Sequence, residues 1–139
     1  MRYFFHVYDD IACLDEEGSE LPSAEAAHQS AVEFVRELAA SGPREVVLKR
    51  GGEGSLAFID ERVVTQPAFP VEEVDPVGAG DAFDAGYLAG HLWGLTPEER
   101  LRVANAMGAL SVATLGDYEG LPDREELWAF LEGRKALGR

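Results

Sequence analysis

Apolar side chains return every three or four residues between Ser23 and Ser41. Ala27, Ala31, Phe34, Val35 and Leu38 share one stripe, the spacing of an amphipathic helix. Ser23 stands where an N-cap belongs, and Ser41-Gly42-Pro43 ends the pattern, so a helix is predicted over 24–40. The flanking patterns differ. Residues 2–8, RYFFHVY, are aromatic and read as a strand, with Asp9-Asp10 as a turn and 11–14 as a return strand. The acidic run DEEGSELPS reads as a turn. After the helix, EVVLK at 45–49 reads as a buried strand. RGGEG reads as a glycine turn and SLAFI at 55–59 as a second strand. Asp60-Glu61 turns the chain into RVVTQ at 62–66, completing a hairpin.

The proline-marked stretch PAFPVEEV is extended. GAGDAFDAGYLAGHLWG then predicts a helix starting near Gly78–Gly80, with Gly86 and Gly90 leaving room for a close neighbour. Thr96-Pro97-Glu98-Glu99 is a helix start, with Thr96 as cap and Pro97 at the first helical position. That helix is predicted to run to about 113. Leu101, Ala104, Gly108, Val112 and Leu115 share its apolar face, and so does the amide of Asn105. Asp123 and Glu126 form a capping-box pattern for a last helix bearing Leu127, Phe130 and Leu131. The mixture of strands and helices places the fold in the α/β class.

Composition narrows what such a fold can do. The 139 residues suffice for one domain, and 12 basic against 26 acidic side chains leave a formal charge of −14. That argues against a nucleic-acid surface and against an anionic membrane. It leaves a nucleotide open, because backbone amides can hold phosphates on an acidic protein. No apolar run has the length of a membrane span, no signal-peptide pattern is present, and Cys13 is the single cysteine. A cytoplasmic protein without a disulfide framework is the expectation. His6 and His28 have no partner at metal-ligand spacing, and the acidic run at 15–20 lacks calcium-loop spacing. The charge is also uneven. Residues 1–41 hold 2 basic and 9 acidic side chains and residues 42–139 hold 10 and 17, the same −7 on more than twice the length. The two segments read as pieces with different histories.

The stretch that carries chemistry is 75–90, DPVGAGDAFDAGYLAG. Gly78-Ala79-Gly80 at a helix start would leave backbone N–H groups open to an anion. The helix dipole adds about half a positive charge at that end. Asp81 would repel a phosphate held there, unless its task is to take a proton from a hydroxyl attacking that phosphate. The plainer alternative is a tight glycine turn with Asp81 capping the helix.

DPVGAGDAFDAG resembles the second signature of the PfkB/ribokinase family of carbohydrate kinases. Asp75-Pro76-Val77 is similar to the 2-keto-3-deoxygluconate kinase branch of it. The resemblance runs from about Gly42 to the C-terminus and implies a truncated ribokinase-like fold made of the C-terminal hairpin and helices. It implies ATP with Mg²⁺ and a sugar or sugar acid as substrate. Asp81 would be the catalytic base, and the amides of Gly78, Ala79 and Gly80 the anion hole. VVLKRGGEGSLAF resembles the family's nucleotide-side hairpin, which implies cofactor-binding roles for Lys49, Gly51 and Gly54; a hairpin with a solvated lysine is the alternative. RVANAMGALSVATLG resembles the segment closing over adenine, which implies Asn105 near the base; a buried amide satisfied by backbone is the alternative. Asp75 and Val77 match positions whose carbonyls bind a monovalent cation such as K⁺ in relatives. The family's Asn-x-x-Glu element, which helps organise magnesium, has only Leu14-Asp15-Glu16-Glu17 as counterpart, without the Asn.

Residues 1–40 resemble a short bacterial family of unassigned function, through Arg2 to Val7, Asp15 to Pro22 and Ala24 to Ala40. The expectation is a composite chain, with a small β-strand/helix module at 1–41 preceding the C-terminal part of a kinase domain at 42–139. A shortened sheet leaves an edge and an apolar face to be covered by the N-terminal module or by a second copy of the chain, so a homo-oligomer covering that edge, or marginal stability, is expected. Two functional readings result: a sugar kinase, or a non-catalytic nucleotide-binding or protein-interaction module.

Overall fold

A computed structural model of the protein describes residues 2–3 and 19–134. Strand β1 (Arg2–Tyr3) pairs antiparallel with β2 (Ser19–Glu20), Arg2 opposite Glu20 and Tyr3 opposite Ser19. The first expected strand is therefore seen at its start. The rest of it, the return strand at 11–14 and His6 lie outside the described residues. Ser19–Glu20 had read as turn, because backbone pairing needs only N–H and C=O groups and leaves no signal in two polar side chains.

Helix α1 (Ala24–Ala40) starts where its cap predicts: Ser23 is extended, with φ −156°, and its hydroxyl accepts from Ala26 N at 3.2 Å. It ends at Ser41, whose hydroxyl donates to Leu38 O at 2.6 Å. Strands β3 (Glu45–Lys49), β4 (Ser55–Ile59) and β5 (Arg62–Gln66) form an antiparallel meander in that order, so the expected hairpin is a three-stranded sheet. A 3₁₀ turn over Gly51–Glu53 joins β3 to β4. Asp60 and Glu61 join β4 to β5 with φ of 50° and 61°, the left-handed pair that matches the twist of a two-residue hairpin.

Side chains alternate across the sheet and both faces are covered. Leu56 meets Ala31 and Val35 of α1, with Val46, Leu48 and Phe58 beside them. On the other face Ala57, Ile59, Val64 and Val47 meet Phe83, Leu101 and Ala104. These last belong to α2 (Ala79–Leu92) and α3 (Pro97–Val112), which pack against each other in antiparallel fashion. The glycines set that spacing. A Cβ at Gly86 would lie 2.7 Å from Met107 Cγ and 3.0 Å from Ala104 Cα, and one at Gly90 would lie 3.2 Å from Arg100 Cα. Helix α4 (Arg124–Leu131) packs on α3 through Val103, Ala106, Leu127 and Leu131, and Arg102 donates to Leu131 O at 2.7 Å. Capping boxes at Thr96/Glu99 and Asp123/Glu126 start α3 and α4 as expected. Leu115 departs from the pattern. It lies beyond the Ala113 cap and is 74% exposed, so it is not on the apolar face of α3.

Candidate functional site

Helix α2 opens at Gly78, with a left-handed φ of 77°. A side chain is excluded there twice, by that φ and because a Cβ would run into the carboxylate and carbonyl of Asp117. Ala79 N bonds Pro76 O at 3.4 Å, and the first bond of the helix proper is Ala82 N to Gly78 O at 2.8 Å. The N–H groups of Gly78, Gly80 and Asp81 thus precede any helical acceptor. Gly80 and Asp81 are exposed, so the positive end of the dipole stands open to a ligand. No hydrogen bond or ion pair engages the Asp81 carboxylate among the described residues.

Two loops frame this helix end, and Asp75 ties them together. Its carboxylate accepts from Val77 N at 3.1 Å and from Gly116 N at 3.2 Å. Val112 O accepts from Val74 N at 2.7 Å and from Asp75 N at 3.1 Å. Val74, Val77, Leu115 and Tyr118 on these loops are all more than half exposed.

Lys49, at the end of β3, reaches the first turns of α2. Its Nζ donates to Asp84 Oδ2 at 2.9 Å, to Oδ1 at 3.1 Å and to Gly80 O at 3.4 Å. It lies 5.9 Å from the centre of the Phe83 ring. The lysine is therefore beside the helix start, with its charge matched by Asp84. Gly51 has φ 54° and open space where a side chain would be. Gly54 has φ 92°, and a Cβ there would collide with the backbone of Gln66, Pro67 and Ala68.

Asn105 is among the buried residues of α3. It is 7% exposed and its Nδ2 donates to Gln66 O at 3.2 Å and Pro67 O at 3.0 Å. β5 ends at Gln66, where Pro67 begins the extended stretch. Gln66, opposite Ser55, is the last residue of the ladder, and part-buried carbonyls at a strand end need a donor. Asn105 supplies it and so clamps the end of β5.

The structure thus brings together Gly78, Ala79, Gly80, Asp81 and Lys49, with Asp75 and Val77 in the adjoining loop. Gly54 and Asn105 meet each other's partners at Gln66–Pro67. Sequence reasoning missed Asp84 and Asp117. Asp84 sits three residues after Asp81, which puts both on one side of a helix; nothing local marks Asp117. Among the described residues no three His, Cys, Asp or Glu side chains converge as a metal cage, and the Asp75 carboxylate is occupied by two amides. Protein carboxylates here do not fit a Mg²⁺ site of their own.

A sheet roofed by helices on both faces, with a glycine-opened helix end beside a free carboxylate, has the parts of a phosphate-handling α/β protein. The chain belongs to the pfkB family of carbohydrate kinases, whose model matches residues 9–124. The 2-dehydro-3-deoxygluconokinase of Bacillus subtilis is 45% identical over 64 residues, covering 46% of this chain and 20% of that one. The fold is ribokinase-like. An E. coli protein described as ribokinase II, in complex with ATP and Mg²⁺, matches with a TM-score of 0.66 at 33% identity over 81% of this chain and 35% of that one. Arabidopsis thaliana ribokinase complexed with ribose and ATP matches with a TM-score of 0.68 at 31% identity, over 80% and 35%. The chain spans about a third or less of the curated relatives it matches: 31%, 20% and 36% of the first three. Among the described residues no helix is long and apolar enough to cross a membrane.

Proposed function

We propose that this chain is the nucleotide-side part of a cytoplasmic kinase that transfers a phosphoryl group from ATP to a hydroxyl of a sugar or sugar acid, of the 2-keto-3-deoxygluconate type. The observation that carries it is the start of α2, where unpaired amides and the unpartnered Asp81 carboxylate lie together. In this reading Asp81 takes the hydroxyl proton as that oxygen bonds to the γ-phosphorus and the bond to ADP breaks. The amides of Gly78, Ala79 and Gly80 hold the charge on the transferring group, Ala79 by giving up its 3.4 Å bond to Pro76 O. Lys49, Gly51 and Gly54 line the nucleotide side, and the reach of Lys49 Nζ to the first turn of α2 at Gly80 O supports that. The carbonyls of Asp75 and Val77 are left for a monovalent cation such as K⁺. Mg²⁺ arrives with the nucleotide's phosphates, and no step is assigned to it.

The test is ATP titration with and without Mg²⁺, followed by a phosphorylation assay on 2-keto-3-deoxygluconate. Asp81→Asn is expected to lower turnover by roughly 10²–10⁴-fold and to leave ATP affinity within a few-fold. Equal turnover of both proteins would remove Asp81 as the base, and absent ATP binding would sink the whole reading.

A second reading, a nucleotide-binding or protein-interaction module without transfer, is favoured by one fact. Lys49, expected at the nucleotide, has its charge matched by Asp84 rather than left for a phosphate. Binding of ATP without turnover would select it. A separate origin of residues 1–41 is a distinct part of the proposal and stands against a family model whose match begins at residue 9; a continuous kinase reading frame in the coding DNA upstream of Gly42 would overturn it.

A further inference from the structure

The loop between α3 and α4 decides how open the start of α2 is. Gly116 turns the chain there with φ 108°, and its N–H donates to the Asp75 carboxylate at 3.2 Å. Asp117 follows and lies against Gly78. Its carboxylate and its main-chain carbonyl stand where a Cβ on Gly78 would be. The rest of the loop fixes that position. Tyr118 N donates to Glu119 Oε2 and Leu121 N to Tyr118 O, both at 3.1 Å. Gly120 packs so closely that a Cβ on it would lie 2.7 Å from Leu110 O. The main chain at Asp117 is thus held from both sides, while the residue itself is exposed and its side chain has solvent to turn into.

A carboxylate has a physical reason to rest at this point. The first turn of α2 is the positive end of the helix dipole, which favours a negative group. The amides of Gly78, Gly80 and Asp81 precede any helical acceptor there. A phosphoryl group would seek the same field, and two anions held close together repel. Asp81 already adds one negative charge beside Gly80. Lys49, the cation that reaches this turn, is matched by Asp84 and does not cancel the charge of Asp117.

We propose that Asp117 is a tethered competitor for the anion place at the start of α2. It rests against Gly78 while no ligand is bound, and its carboxylate turns away before a phosphoryl group is held. The amides are thereby closed to weakly held anions such as free phosphate. A nucleotide, with contacts beyond its phosphates, has the affinity to displace the carboxylate. The inference deepens the kinase reading and rests on its claim that these amides take an anion. Every anion displaces the same carboxylate, so removing its charge should strengthen them all by about one factor.

Inorganic phosphate, and ATP with Mg²⁺, are to be titrated against the full chain and against Asp117→Asn, Asp117→Ala and Glu37→Gln. Glu37 is exposed on α1, across the sheet from α2, so its variant removes one charge far from the site. Asp117→Asn is expected to tighten both ligands roughly two- to fivefold. Asp117→Ala, which removes the oxygens as well as the charge, should tighten them at least as much, and Glu37→Gln should change neither. A carboxylate that only braces the loop would behave differently: its loss would lower the melting temperature and leave binding equal or weaker. The proposal is overturned if ATP binds the wild type and both Asp117 variants equally, if those variants bind more weakly, or if Glu37→Gln tightens binding as much as they do. If no protein of the set binds either ligand, the amides take no anion, and the kinase reading falls together with the proposal.

Discussion

Asn105 commits its amide hydrogens to two carbonyls 39 and 38 residues upstream. Asn105→Ala would take a donor from two part-buried carbonyls, at a cost of about 0.5–1.5 kcal/mol for each bond lost. Urea melts should show that loss with ATP affinity unchanged; weaker ATP binding without destabilisation would return the residue to the nucleotide. That a polar amide sat on an apolar face was visible in the sequence. Its partners were not, because they are set by how α3 lies across the end of β5. Tyr87 carries a different test. Its phenol donates to Glu45, with Arg100 Nη1 3.4 Å from the same carboxylate oxygen. Burial above all, then the bond and charge of Glu45, raise its pKa well above the usual 10.0. A raised folded pKa means the unfolded chain ionises first. The neutral phenol's contribution is complete below pH 10.0 and fades as pH climbs from there toward the folded value. The melting temperature should fall above pH 10, and Tyr87→Phe should flatten that fall.

Helix α2 shows packing overruling propensity. Glycine inside a helix costs about 1 kcal/mol relative to alanine, so propensity alone predicts that Gly86→Ala stabilises the protein. The Cβ it adds would meet Met107 and the backbone of Ala104. The helices would have to separate, at about 1–3 kcal/mol, and the net sign should be destabilising in denaturant titrations. A stabilised variant would mean that α2 and α3 can part freely. Other boundaries followed from short-range signals. Thr96, Asp123 and Ser23 cap where the sequence places them, since a cap needs only a neighbour three residues away. The assignment of Leu115 to the apolar face failed for the opposite reason. Periodicity counts positions and does not mark where α3 stops, and the chain leaves the helix before Gly116, with φ 108°.

The net charge of −14 belongs to the molecule as a whole. Self-repulsion opposes the compact state. Raising salt from about 0.01 to 0.15 M shortens the screening length from about 30 to 8 Å, so the melting temperature should rise by a few degrees. A salt-independent transition would show that the charges are already locally balanced. The arrangement of layers was only partly readable. The strand run, the helices and residues 75–90 indicated an α/β fold and its family, whereas which helix roofs which face depends on contacts between distant segments.

The order of the sheet also has a meaning in time. β3 pairs with β4 and β4 with β5, each the next strand in sequence, and α1 packs on β3 and β4 from the stretch just before β3. Only short loops have to close, and these steps are fast. The clamp of Asn105 on Gln66 and Pro67 closes a loop of 39 residues and comes later. The meander and its first helix are therefore expected to be in place before α3 locks the end of β5.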